Sequence, residues 1–457
     1  MKKLATIPAA AIAICAATAL TPAFAAMPIT NVIDGVEWRF MLDTPSGTNG
    51  TAMLGINPAT SGSTNRENDS MHACPAASIV NAANIPWEFD YDGVHYTITR
   101  VCIGAFYKMT TLTGIITIPP AVTELRNNCF QGCTGLTYLK GGDSVKVWGT
   151  RAFGAIGSGL SGAYPDFSVA TSIAEDVFSG AALTGTLKLG NNLTTLERVA
   201  FENCNFTGAA VVPSSVTQLG KKSDNGKNYY GVFMGCSNLE AIWVKGGTSD
   251  STALTVQCGD FAKSCTSLKV VLMGLHTKGS EHTLTGYHLT RGDSGVEVFV
   301  PANGEWDGLV VGTNNKAWYY GPTNDFNLVV DDGAMQATFT PTTVETFTNA
   351  LSWASLFKEH FDLDPRISVT NALDLTGVTI TDDMVSGVTF DRLMFTVKTQ
   401  AELEGILDVF PSDTPLAIDP SGITENLTIP VARKVFVQLS EADAVKLKAQ
   451  GFSIIFR

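Results

Sequence analysis

Three histidines, His276, His282 and His288, follow one another at intervals of six residues, and evenly spaced imidazoles are one way of offering ligands to a transition metal. Six residues do not repeat a helical face, and no thiol or carboxylate pattern accompanies them, so they read as loop histidines and no metal is expected. Gly157-Ser158-Gly159-Leu160-Ser161-Gly162 has the spacing of a dinucleotide-binding turn. That turn works only between a strand and a helix with an acidic partner further on, a context missing here. Asp293-Ser294-Gly295 has the look of an aspartic-protease loop, but the second loop of a carboxylate dyad is missing and Gly292 stands where an apolar lead-in is needed. Asp331-Asp332 and Asp382-Asp383 suit a turn and a helix start, because aspartate accepts hydrogen bonds from free backbone amides. With no serine, histidine and aspartate in an elbow arrangement, the chain is expected to be no enzyme and to need no cofactor.

Two stretches are better suited to contact than to chemistry. Lys221, Lys222, Lys227, Tyr229 and Tyr230 form a basic and aromatic loop on an acidic protein, a candidate ligand-binding loop in which tyrosines supply contact area and lysines steer an acidic partner. Trp318-Tyr319-Tyr320 either packs at a junction or offers rings to a sugar.

The elements that must position these residues are repeats. Phe106, Phe130, Phe153, Phe178, Phe201, Phe233 and Phe261 each follow a small residue, or Asp260 in the last case, and are 24, 23, 25, 23, 32 and 28 residues apart. A second apolar residue follows five to seven positions later, at Leu112, Leu136, Leu160, Leu183, Phe206, Leu239 and Leu268. Such near-constant spacing marks a stacked repeat protein, whose short units bury their apolar residues only against one another. The seven phenylalanines are therefore expected to form the structural core of a column. Ile116 and Ile118 alternate with Thr117 as in a strand, Pro119 ends it for want of a donor, and Val122 and Leu125 begin a second extended piece. The Phe153–Leu160 turn is looser, and the last two intervals are long, so loops are expected to leave the regular surface there.

Read in full, Ile118-Pro119-Pro120-Ala121-Val122-Thr123-Glu124-Leu125, then Cys129-Phe130-Gln131-Gly132-Cys133-Thr134-Gly135-Leu136, the unit resembles the BspA-like, Treponema pallidum-type leucine-rich repeat. The resemblance covers the central region only. It implies a leucine-rich-repeat solenoid of short strands and turns, and binding of protein ligands such as host matrix proteins or other cells.

The chain begins with Lys2-Lys3, an apolar run from Leu4 to Leu20 and Ala23-Phe24-Ala25, the pattern of a secretory signal peptide cleaved after residue 25. Ile14 is too bulky for Cys15 to be a lipoprotein cysteine, and no later stretch is long and apolar enough for a membrane span. The protein is thus expected to be exported, secreted or at the cell surface. A formal net charge of −13 repels phosphate backbones and excludes nucleic acid as a natural partner. Of the nine cysteines, Cys133, Cys204, Cys236 and Cys265 share the repeat phase and read as small buried thiols. Cys74, Cys102, Cys129 and Cys258 lie outside it, and a disulfide, if export provides one, is expected among these.

The expected fold class is α/β: a signal peptide at 1–25, an N-terminal β-rich cap at 26–95, the repeats at 96–300, a closing segment and linker at 301–325, and a C-terminal α/β domain at 326–457. Val32 to Phe40 reads as strands around an Asp34-Gly35 turn, Thr51 to Ile56 as a partner strand, and Ile85 to Ile98 as a hairpin. Val296 to Pro301 reads as the last strand of the column. Beyond it, helices are expected at Thr343–Phe361, after the Thr399-Gln400-Ala401-Glu402 capping box, and from Ser440 to Gly451. Strand-like pieces near Leu373, Leu393, Leu416, Val435 and Phe452 leave two readings open, a second repeat system or an ordinary α/β domain. The function expected is recognition or adhesion toward a protein ligand, with a carbohydrate-binding role centred on the C-terminal domain as the alternative.

Overall fold

The computed structural model describes residues 27–56, 72–75, 78–220, 230–247, 254–256, 260–279 and 287–449, the last with gaps at 289, 291–294, 303–305, 307–308, 311–313, 370–380, 386–387, 411–415, 420–423, 425–426, 430–434 and 438–446. The leader, Cys258, His282, Asp293 and the strand-like pieces near Leu373 and Phe452 lie outside these residues.

All seven repeat phenylalanines are buried at 0% exposure. Phe106, Phe130, Phe153 and Phe178 stack nearly parallel with centroids 5.1, 5.1 and 5.4 Å apart. The stack breaks after Phe178, where Phe167 inserts at 6.0 Å from Phe178 and 5.7 Å from Phe201, and it resumes with Phe201 over Phe233 at 6.2 Å. Each rung is also bonded to the next through its backbone: Phe106 N–H donates to Cys129 C=O at 2.7 Å, Phe130 to Ala152 at 2.9 Å, Phe153 to Val177 at 2.9 Å, and Phe233 to Phe261 at 3.1 Å. Two residues before the phenylalanine, Gly104, Asn128, Arg151, Asp176 and Val199 all have positive φ, which winds the turn tightly enough to aim the ring inward. Val199 at φ 47° is a β-branched residue in a conformation that such residues avoid.

Two faces flank this spine, the first one continuous sheet and the second three. The short-strand face runs in parallel from Val94–Val101 through Glu124–Leu125, Val147–Trp148, Ser172–Ile173, Thr195–Leu196, Gln218–Leu219 and Leu254–Val256 to Thr277–Gly279. Leu125, Trp148, Ile173, Leu196, Leu219 and Val256 are in register and form its buried inner row. The long-strand face comprises Val80–Asn81, Leu112–Ile118, Leu136–Gly141 and Ser161–Gly162, then the pair Thr184–Gly185 and Asn205–Phe206, then Gly208–Val212, Leu239–Val244, Val270–Met273, Glu297–Pro301 and Lys316–Tyr320. Glu297–Pro301 is not the last strand of the column: Lys316–Tyr320 continues the parallel ladder. Gly190, in the place that proline takes in other units, cannot carry a side chain, since a Cβ would meet Ser168 C=O at 1.8 Å.

The first open end is closed by antiparallel strands Met27–Ile33, Val36–Leu42 and Asn49–Leu54, the last parallel to Val94–Val101, which also pairs with Glu88–Tyr91. Asp34-Gly35 and Asp92-Gly93 have positive φ at both residues, the geometry of two-residue hairpin turns. Trp38 lies edge-on to Phe106 at 6.4 Å and covers the first rung.

In the C-terminal part, helix α1 (Val344–Phe361) starts at a Thr343 cap paired reciprocally with Thr346, and α3 (Gln400–Val409) starts at the Thr399–Glu402 capping box; a short α2 (Asp382–Val385) lies between. The sheet Phe326–Asp331, Gln336–Pro341, Asp364–Ser368, Thr389–Thr396, Leu416–Asp419, Val435–Val437 is antiparallel only at its first pair and then parallel between consecutive strands. The helix expected from Ser440 to Gly451 is not found where the chain is described: Leu447–Ala449 is a strand parallel to Leu427–Ile429. A partner strand supplies backbone bonds that local helix signals cannot outweigh.

Helix α1 is a middle layer. On one side it meets the long-strand face, with Trp353 4.7 Å from Trp318 and 5.2 Å from Phe299, Phe357 5.2 Å from Phe299, and Phe361 5.8 Å from Trp243. On the other it meets the C-terminal sheet, with Phe357 5.0 Å from Phe339. A helix apolar on two sides must be covered on both. Lys245–Asp332 at 2.6 Å and His360–Glu240 at 3.7 Å lie at the margins of this junction.

Two outcomes are expected. Ending the chain at residue 325 uncovers Trp243, Leu272 and Phe299, so the truncated protein should bind a hydrophobic dye and self-associate by light scattering where the full chain does not. Gly231→Ala places a Cβ 1.8 Å from Asp260 C=O and should cost roughly 3 kcal/mol in urea unfolding.

Candidate recognition surface

The short-strand face is polar and largely satisfied within itself. Thr171, Thr194 and Thr217 hydroxyls donate to the carbonyls of Lys146, Thr171 and Thr194, one rung back each time, at 3.1, 3.0 and 3.5 Å. Beside it, Arg151 pairs with Asp176 at 2.8 Å and Arg198 with Glu175 at 2.9 Å, so rung-to-rung ion pairs neutralise most of the charge there. Arg100 is likewise held by Asp43, which also accepts from Thr51 at 2.6 Å.

The long-strand face divides into two halves of different character. In its C-terminal half the outward residues Ala241, Trp243, Val270, Leu272 and Phe299 are buried under α1. In its N-terminal half the register sets Ile115 beside Tyr138 and Tyr138 beside Ser161, and Ile115 and Tyr138 remain 49% and 42% exposed. Thr113, Thr117, Thr137 and Lys140 are exposed around them. An apolar pair in register on an open parallel sheet is a place where a partner gains by covering it, since parallel sheets are ordinarily covered on both faces. The signal for it in the sequence is Ile115-Ile116: adjacent strand residues point to opposite faces, so one of the two must look outward. Ile116 is in the core together with Leu112 and Ile118, so plain alternation turns Ile115 out, and a register shift between Gly114 and Ile115 sets Tyr138 rather than Thr137 opposite it.

Of the loop singled out from its composition, Lys221, Lys222, Lys227 and Tyr229 lie outside the described residues. Tyr230 is 42% exposed and bridges to Asp260. Trp318 and Tyr320 serve packing: Trp318 meets Trp353, and the buried Tyr320 hydroxyl donates to Met273 C=O at 2.7 Å. Asp331 turns its chain by accepting from Ala334 N–H at 3.0 Å, and Asp332 pairs with Lys245. The glycine run at 157–162 ends in the short strand Ser161–Gly162 rather than in a helix. No cluster of His, Cys, Asp or Glu fit for a metal ion occurs among the described residues, and none of their helices is long and apolar enough to cross a membrane.

Seven described cysteines are buried thiols, so no bridge joins Cys74, Cys102 and Cys129 to one another, and Cys258, the fourth candidate for a bridge, lies outside the described residues. Cys133, Cys204, Cys236 and Cys265 instead form a series: each thiol donates to the carbonyl of the preceding rung's phenylalanine, Phe106, Phe178, Phe201 and Phe233, at 2.9, 3.3, 3.1 and 3.0 Å. Burial pushes the Cys133 and Cys204 thiols up to about 12 and holds Cys129 and Cys236 well above the ordinary value. These groups are not nucleophiles at neutral pH. Glu202 is also raised, chiefly by burial, despite its bond from Ser179.

Residues 99–239 and 165–270 match the family described as BspA type Leucine rich repeat region, in six copies. Among solved structures, a leucine rich cell surface protein from Faecalibacterium prausnitzii A2-165 is 15% identical, with 65% of this chain and 96% of that chain covered and a TM-score of 0.27. A leucine-rich repeat protein from Bacteroides ovatus ATCC 8483 is 12% identical, covering 90% and 89%, with a TM-score of 0.26. The pneumococcal vaccine antigen PcpA is 11% identical, covering 90% and 99%, with a TM-score of 0.27. No curated protein matches the chain.

The thiol series has a pH signature. A thiol whose native value lies above its unfolded value of 9.0 stabilises the fold fully below pH 9, and the contribution is lost as pH rises from 9 through about 12. The urea midpoint should hold from pH 7 to 8.5 and fall above 9, by roughly 1 kcal/mol per such thiol per pH unit. In native protein a thiol reagent should label the described cysteines only in step with unfolding.

Proposed function

With residues 99–270 being BspA-type leucine-rich repeats, we propose that the protein is an exported bacterial recognition module that binds protein ligands, on a host matrix or another cell surface, and carries out no chemistry itself. The observation that carries this reading is the open half of the long-strand face, where Ile115 and Tyr138 stay half exposed although the same face is covered further along the column. Export rests on the leader pattern of residues 1–25, and the acidic balance of the chain speaks for partners other than nucleic acid. We take 26–95 as the cap, 96–300 as the repeats, 301–325 as the closing segment and 326–457 as the C-terminal α/β domain. That domain belongs with the column as one recognition body, because α1 is shared between them. A glycan reading needs an aromatic platform, and of Trp318-Tyr319-Tyr320 the first and last are occupied in packing while Tyr319 is exposed.

The test is to immobilise residues 27–457 and compare a panel of purified extracellular matrix proteins with a glycan array. Saturable retention of a matrix protein, weakened tenfold or more by Ile115→Asp, is expected. Binding of glycans alone, or protein binding indifferent to Ile115→Asp, overturns the reading.

A further inference from the structure

The way α1 lies on the column says what shape the open half would accept. Along the helix, Trp353 touches Trp318 and Phe299, Phe357 touches Phe299, and Phe361 touches Trp243. Those partners lie on strands Lys316–Tyr320, Glu297–Pro301 and Leu239–Val244, with Val270–Met273 between the last two. From residue 353 to 361 a helix rises about 12 Å; three strand spacings amount to about 14 Å. The helix axis therefore runs across the strands, along the column, and its C-terminal end points toward the N-terminal half. The match has a simple origin, for a helical turn of about 5.4 Å nearly equals the strand spacing of about 4.8 Å, so one turn falls on each rung.

The open half repeats this pattern of sites. Ile115 and Tyr138 are one rung apart and in register, the separation of side chains at i and i+4, or i and i+3, of a helix. Exposed Thr113, Thr117 and Thr137 border them and suit the polar margin of such a helix. Lys140 is the only charged side chain of the two strands, which favours an acidic residue on the partner at that margin.

We propose that Ile115 and Tyr138, on the open half of the long-strand face, receive an amphipathic α-helix of a partner protein, laid along the column in line with α1, with apolar residues one turn apart and an acidic flank. This inference rests on the recognition reading and narrows it to one kind of partner.

The probe is a synthetic helix of about six turns built from Ala, Gln and Glu, with Leu at alternating three- and four-residue spacing, and a control of the same composition with the Leu residues scattered. Fluorescence anisotropy against residues 27–457 should show saturable binding of the striped peptide, at least tenfold tighter than the control. The double variant Ile115→Ser, Tyr138→Ser should weaken it tenfold or more, and Val329→Ser, at an exposed apolar residue of the C-terminal sheet, should leave it unchanged. Both substituted residues of the double variant are solvent-exposed, so circular dichroism is expected to match the parent. No saturable binding, equal binding of the control, or indifference to the double variant overturns the inference. If a matrix protein is held through Ile115 while the striped peptide is not, only the helix inference falls. If the peptide binds there and no matrix protein does, the recognition reading falls and the chemistry of the surface stands.

Discussion

A rung of this column cannot exist alone. Ordering some two dozen residues costs far more backbone freedom than the apolar side chains of a single unit regain while its two flanks are open to water. The balance turns only when the same ring is covered above and below and the backbone N–H beside it finds a carbonyl on the next rung. Phe130 shows both at once: stacked 5.1 Å from Phe106 and from Phe153, with its N–H on Ala152 and its neighbour Cys129 accepting from Phe106. The thiols of Cys133, Cys204, Cys236 and Cys265 extend the same logic, because each brings a donor to a buried carbonyl without the desolvation cost of a charge. Everything else in the fold closes, covers or interrupts this stack.

Closure and covering are done by different means at the two ends. At the start, Trp38 lies on the first ring and antiparallel strands extend the short-strand sheet sideways. Toward the end the outer side of the column becomes apolar through Trp243, Leu272 and Phe299, and α1 is bound between that surface and a second sheet. Residues that look like features of a separate domain, such as Phe357 and Trp353, thereby stabilise the repeats as much as their own sheet. Dividing the molecule at the Gly321-Pro322 turn would cut through a shared core.

What could be read from the sequence follows how local the cause is. The phenylalanine period, the Asp34-Gly35 turn, the Thr343 and Thr399 caps and the strand around Ile116 are each written in a few consecutive residues, and each is found in the structure. The fate of Leu447–Ala449 is decided by a strand 20 residues away, and the continuation of the ladder to Lys316–Tyr320 by backbone pairing across an irregular stretch. The half-exposed pair Ile115 and Tyr138 was hidden for a similar reason. Alternation with Ile118 turns Ile115 outward, but that Tyr138 rather than Thr137 stands opposite it depends on a register shift at Gly114, and whether the pair stays open depends on where α1 lies, some two hundred residues later. Of the lysines and tyrosines at 221–230, only Tyr230 lies among the described residues.

The irregular third unit gives the surface its division. Its loose turn, Gly157 to Gly159, leads into a strand only two residues long, Ser161–Gly162, where the first long-strand sheet stops. In the same unit Phe167 enters the spine between Phe178 and Phe201. An aromatic residue spent on the interior is not available to the exterior, and here the outer residues are small: Ser161, Ala163, Thr184 and Gly185 are exposed. Apolar covering by α1 thus has no row to follow past Gly208–Val212, and the strands before the break are left with their own apolar pair and nothing from this chain among the described residues to lie on it. One irregular unit separates a half of the face that α1 covers from a half that no described residue covers.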